Sequence, residues 1–551
     1  FSLATLFVII RSYTESHFSY KSTWLSVHHL PQPSSQSPIV MATITDIQYY
    51  VVLFFLWLFS TLLLQYAFRR STKGATHLRL PPSPPSLPVV GHIHLLSKDI
   101  HICFQNLARK YGPLLYLRFG SFKCLLISSA SVATEVFKSN DVAFSSKPFS
   151  VLGDRLIFGN TGFVISQYGD YWRYMKKLTV TELLGARQLE RSRKVRQEEL
   201  HRYLQRVFEK AGVEEVFDVG SELMKLTNNT ICRMVLSTRC SEEDNEAEEV
   251  KELVEGSFDL AMKMTMVAMS GPLKKVVGKY YEKEDKDINR RCDELLERMW
   301  KEHEERAKRE GVDREDKDFM DILLEAYYND KAEFKITRNQ VKAFILDIFI
   351  AGTSTSADTM QWVMANLINH PDVLKKVRQE IESVVGNSKR LVEESDLPNF
   401  PYLQAVVKET LRLYPPGPVL PRRTNEDSKV SGFDIPKDLI VAFNVYAIMR
   451  DPEAWDKPNE FIPERFLSST KEQNTQLVNF MAFGAGRRLC PGSTLALTLM
   501  NTAIANMVQC FDWKVGIDGD IVNMKAGTGF TLALAEPLMC RPVVRFNPFA
   551  G

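Results

Sequence analysis

Apolar residues along this chain fall into three kinds of run. The first is unbroken: IQYYVVLFFLWLFSTLLLQYAF, Ile47 to Phe68, carries no charge over about 22 residues, enough for a helix to cross a hydrocarbon layer of about 30 Å. It is too long for a signal peptide and lacks a small-residue cleavage pattern, so it predicts a membrane anchor. Asp46 precedes it and Arg69, Arg70 and Lys73 follow it; that asymmetry sets everything after the helix in the cytosol, and Tyr49 and Tyr50 suit an interfacial belt. The second kind is short and β-like: PLLYLRFG, KCLLIS and LIVAFNVYAI. The third kind, beyond Gly91, has helical spacing and dominates the chain, as in VKAFILDIFIAGTSTSADTMQWVMANLI and STLALTLMNTAIANMVQC. The fold class predicted is mainly α with minor β sheet.

No period of 20 to 50 residues repeats and no flexible linker divides the chain after residue 80. Three parts are expected. Residues 1–40 start at Phe1, hold no methionine, are serine-rich and carry a single acid, Glu15; they read as an in-frame untranslated leader before Met41, with a transit peptide as the other reading. Residues 41–79 are the anchor with its basic stop. Residues 80–551 are one large domain, opened by LPPSPPSLPVVG, whose prolines favour stiff extended chain. The stretch Lys301 to Asp318 mixes charges of both signs and reads as a solvated helix end and loop.

Composition narrows the chemistry. A hydrophobic share of 45% and a charged share of 25% are those of a globular protein, and a net charge of +2 gives no reason to expect nucleic acid as partner. The eight cysteines never form a C-x-x-C pair, which argues against zinc ribbons and disulfide frameworks; most are expected as buried thiols. No H-E-x-x-H, G-x-S-x-G or G-x-x-x-x-G-K-[ST] is present, which leaves zincin, serine hydrolase and P-loop chemistry without a foothold.

One cysteine stands apart. Cys490 lies in FGAGRRLCPG, Phe483 to Gly492. A nucleophilic thiolate needs a base, and no histidine is near in sequence; zinc needs further Cys or His at short spacing. A heme-ligating thiolate needs backbone N–H donors to moderate its charge, and Gly484, Gly486 and Gly492 give the loop freedom to supply them. The helical segment that follows adds its positive end. A buried structural cysteine in a glycine-rich turn is the other reading of this loop alone.

The pattern F-x-x-G-x-R-x-C-x-G, carried by Phe483, Gly486, Arg488, Cys490 and Gly492, resembles the heme loop of the cytochrome P-450 family. Further matches occur in the family's order. KETLR holds Glu409 and Arg412 on one helical face and PERF supplies Arg465; the resemblance implies a buried ionic trio that braces the heme loop. AGTSTS, Ala351 to Ser356, resembles the family's small-residue break above the heme, although small residues in mid-helix also mean close packing. The resemblance makes Thr355 a proton-delivering residue. The preceding position, usually Asp or Glu, is Ser354 here, whose hydroxyl cannot supply a proton at neutral pH as a carboxylic acid can. YWRYMKKL resembles the helix that contacts the heme propionates, which implies Trp172 and Lys176 as cofactor contacts beside Arg422 and Arg488; a core tryptophan and surface cations are the plainer readings.

The resemblance runs from the anchor to ALAEPLMCRPVVRF and is strongest to the plant microsomal branch that oxidises flavonoids and triterpenoids. It implies heme b held through Cys490, NADPH and O2 as cosubstrates, electrons from NADPH-cytochrome P-450 reductase, and a place in the endoplasmic reticulum membrane facing the cytosol. It also implies a pocket lined by Phe149 to Ser166, the Ala351 region, Val419, Leu420 and Thr528 to Thr531. The expected reaction is oxygen insertion into a lipophilic plant secondary metabolite, a terpenoid ahead of a flavonoid because these linings are apolar. GAGRRL lacks the third glycine of a dinucleotide fingerprint, so no nicotinamide site is expected. The rival readings are a heme-thiolate isomerase or dehydratase acting without O2, and a non-catalytic heme binder.

Overall fold

A computed structural model describes residues 49–61, 78–87, 90–148, 158, 161–239, six positions between 253 and 267, and then 274–310, 317–386, 390–467, 480–516, 521–529 and 531–549. The chain divides into two units, residues 1–75 and 76–551. In the first, residues 49–61 are helical, with Tyr49, Phe55, Trp57 and Phe59 exposed. The rest of the expected anchor, its basic stop and residues 1–40 lie outside the described residues. Among the described residues no helix is long and apolar enough to cross a membrane.

The second unit is mainly helical with a small sheet, as expected. Strands β1 (Leu114–Phe119) and β2 (Phe122–Ile127) form a hairpin in which Leu117 faces Cys124, turned through Gly120 at φ +59°. Strands β3 (Leu420–Arg423) and β4 (Ile440–Phe443) complete the order β1-β2-β4-β3, with β2 and β4 parallel and Arg422 paired with Val441. The proline-rich segment runs irregularly along this sheet, Pro82 O accepting from Tyr116 N at 2.8 Å. LIVAFNVYAI is strand over its first half only. The Asn444 side chain accepts from Ala447 N and starts a short helix, Val445–Ile448, because an Asn at that position satisfies a free helical N–H.

Helices α1 (Asp170–Leu178), α2 (Val219–Leu236), α3 (Glu282–Glu310), α4 (Phe319–Tyr328), α5 (Arg338–Gly352), α6 (Ser354–Asn369), α7 (Pro401–Leu413) and α8 (Ser493–Cys510) carry most of what positions the site. The segment expected as one helix around AGTSTS is two, α5 and α6, separated at Thr353. Ile231 of α2 causes close approach there: a Cβ on Gly352 would stand 2.8 Å from its Cδ1. Downstream, Met360, Val363 and Leu367 of α6 pack with Leu403 and Val406 of α7 and Ile504 and Met507 of α8 in the largest core cluster. Side chains of this size each contribute about 1.5–3 kcal/mol when fully buried. Trp362 is locked in α6 by donating Nε1–H to Leu532 O at 2.8 Å and by stacking on Tyr414 at 3.9 Å.

The charged stretch from Lys301 differs from its expectation. His303 and Asp318 are buried, at 5% and 4% exposure. Arg306 binds Asp318 and Asp321 at 2.5 and 2.8 Å, His303 Nε2 meets Asp318 at 3.0 Å, and Asp318 with Asp321 forms the capping box of α4. The run reads as solvated because pairing between the end of α3 and the start of α4 is invisible in sequence. The Arg306 guanidinium already balances the acids, so this His–Asp–Asp group needs no metal to be tolerated in the interior.

Among the described residues Cys103, Cys124, Cys292, Cys510 and Cys540 are buried thiols, as expected of most of the cysteines, and Cys490 is a half-buried one; Cys232 is disulfide-bonded, a bridge that the cysteine spacing does not announce.

Candidate functional site

The loop before α8 is built around backbone geometry. Gly486 sits at φ +63°, and a Cβ there would fall 2.2 Å from the Asp141 carboxylate, so glycine is required both by conformation and by space. Gly484 is also left-handed, at φ +77°. Gly492 is not: its φ of −88° suits any residue, and its role is to present its N–H. Cys490 N donates to Phe483 O at 2.9 Å, which closes the loop. Burial raises the Cys490 thiol, and the N–H groups of Gly492 and Ser493, together with the Lys176 ammonium, pull it back down. Burial wins, so the thiol is held above its ordinary value, and the start of α8 with a cation from α1 supplies the groups that favour its ionised form.

Four cations converge beside this loop. Lys176 donates to Leu489 O at 2.7 Å. Arg488 donates to Ser145 O at 2.8 Å and Ser166 O at 2.5 Å, with its guanidinium 4.4 Å over the Trp172 ring. Arg422 is 4% exposed, and neither it nor Lys147 has a side-chain hydrogen bond or ion pair among the described residues. Burial lowers Arg422 to about 10, partly offset by Asp141, and lowers Arg488 to about 9 with help from Arg422. Burial, then Arg422 and Arg488, hold Lys147 well below its ordinary value. Lys176 is lowered by burial against the pull of Cys490, and further by Arg488 and Arg422. Cations crowded together at such cost want an anion, and the nearby carboxylate, Asp141, is taken by the backbone N–H and guanidinium of Arg487.

On α5 and α6, Asp347, Ala351 and Thr355 recur every four residues and share one side. The Thr355 hydroxyl donates to Ala351 O at 2.7 Å and makes no hydrogen bond to the cysteine loop. Ser354 has no side-chain hydrogen bond among the described residues. Asp347 and Asp358 are carboxyls pushed up by burial, to about 7 and about 6. The ionic trio is present: Arg412 grips Glu409 with Nε and Nη2 at 2.7 and 2.8 Å, and Arg465 Nε adds 3.0 Å. The remaining Arg412 bonds reach Met449, Pro458 and Glu460 carbonyls, so the trio ties down residues 449–465.

The structure thus gathers Trp172, Lys176, Arg422, Phe483, Arg488 and Cys490, and places Ser354 and Thr355 together in the first turn of α6. Lys147 and Asp347 are not singled out by the sequence patterns. The lysine in FSSKP and the acid one turn before Ala351 are the available signals.

A cysteine at a helix start, beside buried cations that lack an anion, fits a metal-bearing group with its own carboxylates. The fold and this donor set define a heme-thiolate protein. Residues 81–540 match the family model described as Cytochrome P-450, and the chain belongs to that family. Cytochrome P-450 705A5 of Arabidopsis thaliana is 47% identical over 91% of this chain and 98% of its own. The 3,9-dihydroxypterocarpan 6A-monooxygenase of Glycine max is 42% identical over 85% and 94%. A zebra fish cytochrome P-450 structure with progesterone superposes with a TM-score of 0.69 at 27% identity, covering 81% of this chain and 99% of that one. The family uses heme b on a cysteine thiolate, with NADPH and O2 through a reductase.

Proposed function

We propose that this chain is an endoplasmic-reticulum monooxygenase that inserts oxygen from O2 into a lipophilic plant secondary metabolite, taking electrons from NADPH-cytochrome P-450 reductase. The observation that carries the reading is the cation group of Lys147, Lys176, Arg422 and Arg488 around the Cys490 loop, none of them in an ion pair with a carboxylate among the described residues. Residues 41–79 are the anchor and 80–551 the catalytic domain in this reading. The exposed apolar side chains of helix 49–61 support a lipid-facing role.

The heme, when bound, supplies the activation of dioxygen and the oxidation of a C–H bond. The chain's residues set the conditions. Cys490 offers its sulfur to the iron; burial favours the neutral thiol, and Gly492 N–H, Lys176 and Ser493 N–H are the groups that would favour the thiolate once a metal draws it. The four cations would hold the heme carboxylates through charge-assisted hydrogen bonds, each worth about 1.5–3 kcal/mol. Trp172 keeps the Arg488 guanidinium flat over its ring. Thr355 holds a proton at Oγ1, at present directed to Ala351 O, and passes it toward the open side of the helix. Ser354 orders water without supplying a proton.

Apolar linings favour a terpenoid substrate. The pterocarpan in the name of the Glycine max relative favours a flavonoid-type compound as second reading. The Ser354 departure keeps an isomerase or dehydratase acting without O2 as a minor third. Residues 41–551 in microsomes with reductase are expected to oxidise a member of one compound class only when NADPH and O2 are both present. Turnover of a hydroperoxide without reductase would instead establish the third reading, and product formation by a Cys490→Ala variant would overturn the proposal.

A further inference from the structure

Residues 161–166 form no regular element, yet they are fixed at both ends. Phe163 stacks on Trp172 at 6.0 Å and meets Phe344 of α5 at 5.7 Å. Ser166 O accepts from Arg488 Nη2 at 2.5 Å, which ties one end to the cysteine loop. At the middle, Val164 N–H donates to Asp347 Oδ2 at 3.0 Å, and the adjacent Phe163 amide helps to pull the same carboxyl down. Gly162 makes this approach possible: a Cβ there would stand 3.2 Å from Oδ2 and 3.4 Å from Oδ1. Tyr171 of α1 donates to Thr161 O at 2.8 Å and is the titratable group that faces Asp347. No cation pairs with the Asp347 carboxylate among the described residues. Burial pushes it up to about 7 while the two amides pull it down, so the loop backbone supplies the partners that favour its ionised form. Between these anchors the Val164 side chain remains 42% exposed although its backbone is held.

We infer that Asp347 is a positioning residue which, with Arg488, clasps loop 161–166 between α5, the helix that precedes the one carrying Thr355, and the loop that carries Cys490, and so fixes where Val164 stands in the wall of the substrate cavity. This rests on the heme-thiolate reading for its consequence, and on the hydrogen bonds alone for the clasp. Truncation of Asp347 leaves the Val164 amide without its acceptor and the Phe163 amide without the neighbouring charge, and an open loop results. Substrate shape selection then changes while the cysteine loop, held by Arg488, does not.

The test joins amide exchange with two azole probes. In the Asp347→Ala variant of the full chain, the Phe163 and Val164 amides are expected to exchange about tenfold faster or more. 4-Phenylimidazole, which reaches the cavity wall, is expected to bind about five- to tenfold more weakly, whereas imidazole keeps its affinity, and the red-shifted carbon monoxide band persists. The Asp347→Asn variant retains an acceptor oxygen and is expected to restore most of both losses, which a merely structural defect would not show; it also serves if the alanine variant fails to fold. Val164→Ala is expected to alter the 4-phenylimidazole to imidazole ratio without changing exchange of the Phe163 amide. Unchanged exchange in both Asp347 variants, or an equal loss for the two azoles, overturns the clasp. Absence of the thiolate band in the parent protein overturns the heme-thiolate reading, while the exchange result still decides the clasp.

Discussion

Arg422 and Lys147 share a buried field with Arg488 and Lys176; Asp141 only partly offsets it at Arg422, and among the described residues no carboxylate forms an ion pair with Arg422 or Lys147. Like charges at such range destabilise the fold unless an anion arrives. The Lys147→Met variant is therefore expected to move two measurements in opposite senses: the heme-free protein melts at a higher temperature than the parent, and heme is lost more readily from the loaded protein. Calorimetry and a heme-transfer assay read these separately. Glycines of the cysteine loop divide in the same concrete way. Gly486→Ala takes on a left-handed penalty of about 1–2 kcal/mol and collides with Asp141, so it is expected to lower stability by about 2 kcal/mol or more in urea unfolding. Gly492→Ala adds a methyl at ordinary contact distance, 3.9 Å from Cys490 Sγ, and is expected to change stability by less than about 1 kcal/mol. At this scale the reactive cysteine is legible in the amino-acid order alone, because a loop of glycines, arginines and proline around one thiol leaves few other uses. Lys147 is not, since its significance depends on Arg422 and Arg488, hundreds of residues away along the chain.

Elements show where local pattern suffices and where it stops. The helix Ser493–Cys510 and the strands near Leu114 and Phe122 follow from periodicity, but the break at Thr353 and the end of the strand at Phe443 come from contacts and caps that periodicity does not register. Buried charge is the extreme case. Glu409 and Arg412 are fully buried, and removing the carboxylate leaves two guanidiniums short of their partner. Glu409→Gln is expected to cost about 3–5 kcal/mol, seen as a lowered urea midpoint and poor accumulation of folded protein. The junction of α3 and α4 carries a pH signature. Burial lowers the His303 imidazole, but the Asp318 carboxylate outweighs it and holds His303 above its ordinary value; Asp318 is held below its own. A raised histidine stabilises fully below its unfolded value, about 6.5, and that stabilisation is lost as pH rises through the folded value. The stability gap between the parent and a His303→Gln variant, read by denaturant titration, is therefore expected to be larger at about pH 6 than at about pH 9.

For the whole molecule, the division at residues 75 and 76 separates an apolar helix from a unit that contains every core cluster and the entire cation and thiolate group. A unit that closes its own core folds without its neighbour, whereas exposed Phe55, Trp57 and Phe59 have no use in water. The two properties assigned to the chain, membrane residence and heme binding, are therefore expected to come apart on truncation. Residues 76–551 expressed alone are expected to show the red-shifted carbon monoxide band of thiolate-bound heme and to leave the membrane pellet in large part, most completely in high salt, which screens the contribution of basic surface to lipid binding. Electron transfer gives the complementary reading. Turnover by the fragment with a membrane-bound reductase is expected to fall well below that of residues 41–551, while turnover with a soluble electron donor falls little, because the anchor raises the local concentration of the two partners without touching the chemistry. A fragment that pellets with the membrane as fully as the longer chain, in low and high salt alike, would place the membrane contact on the catalytic unit itself and take the anchor role away from residues 41–79.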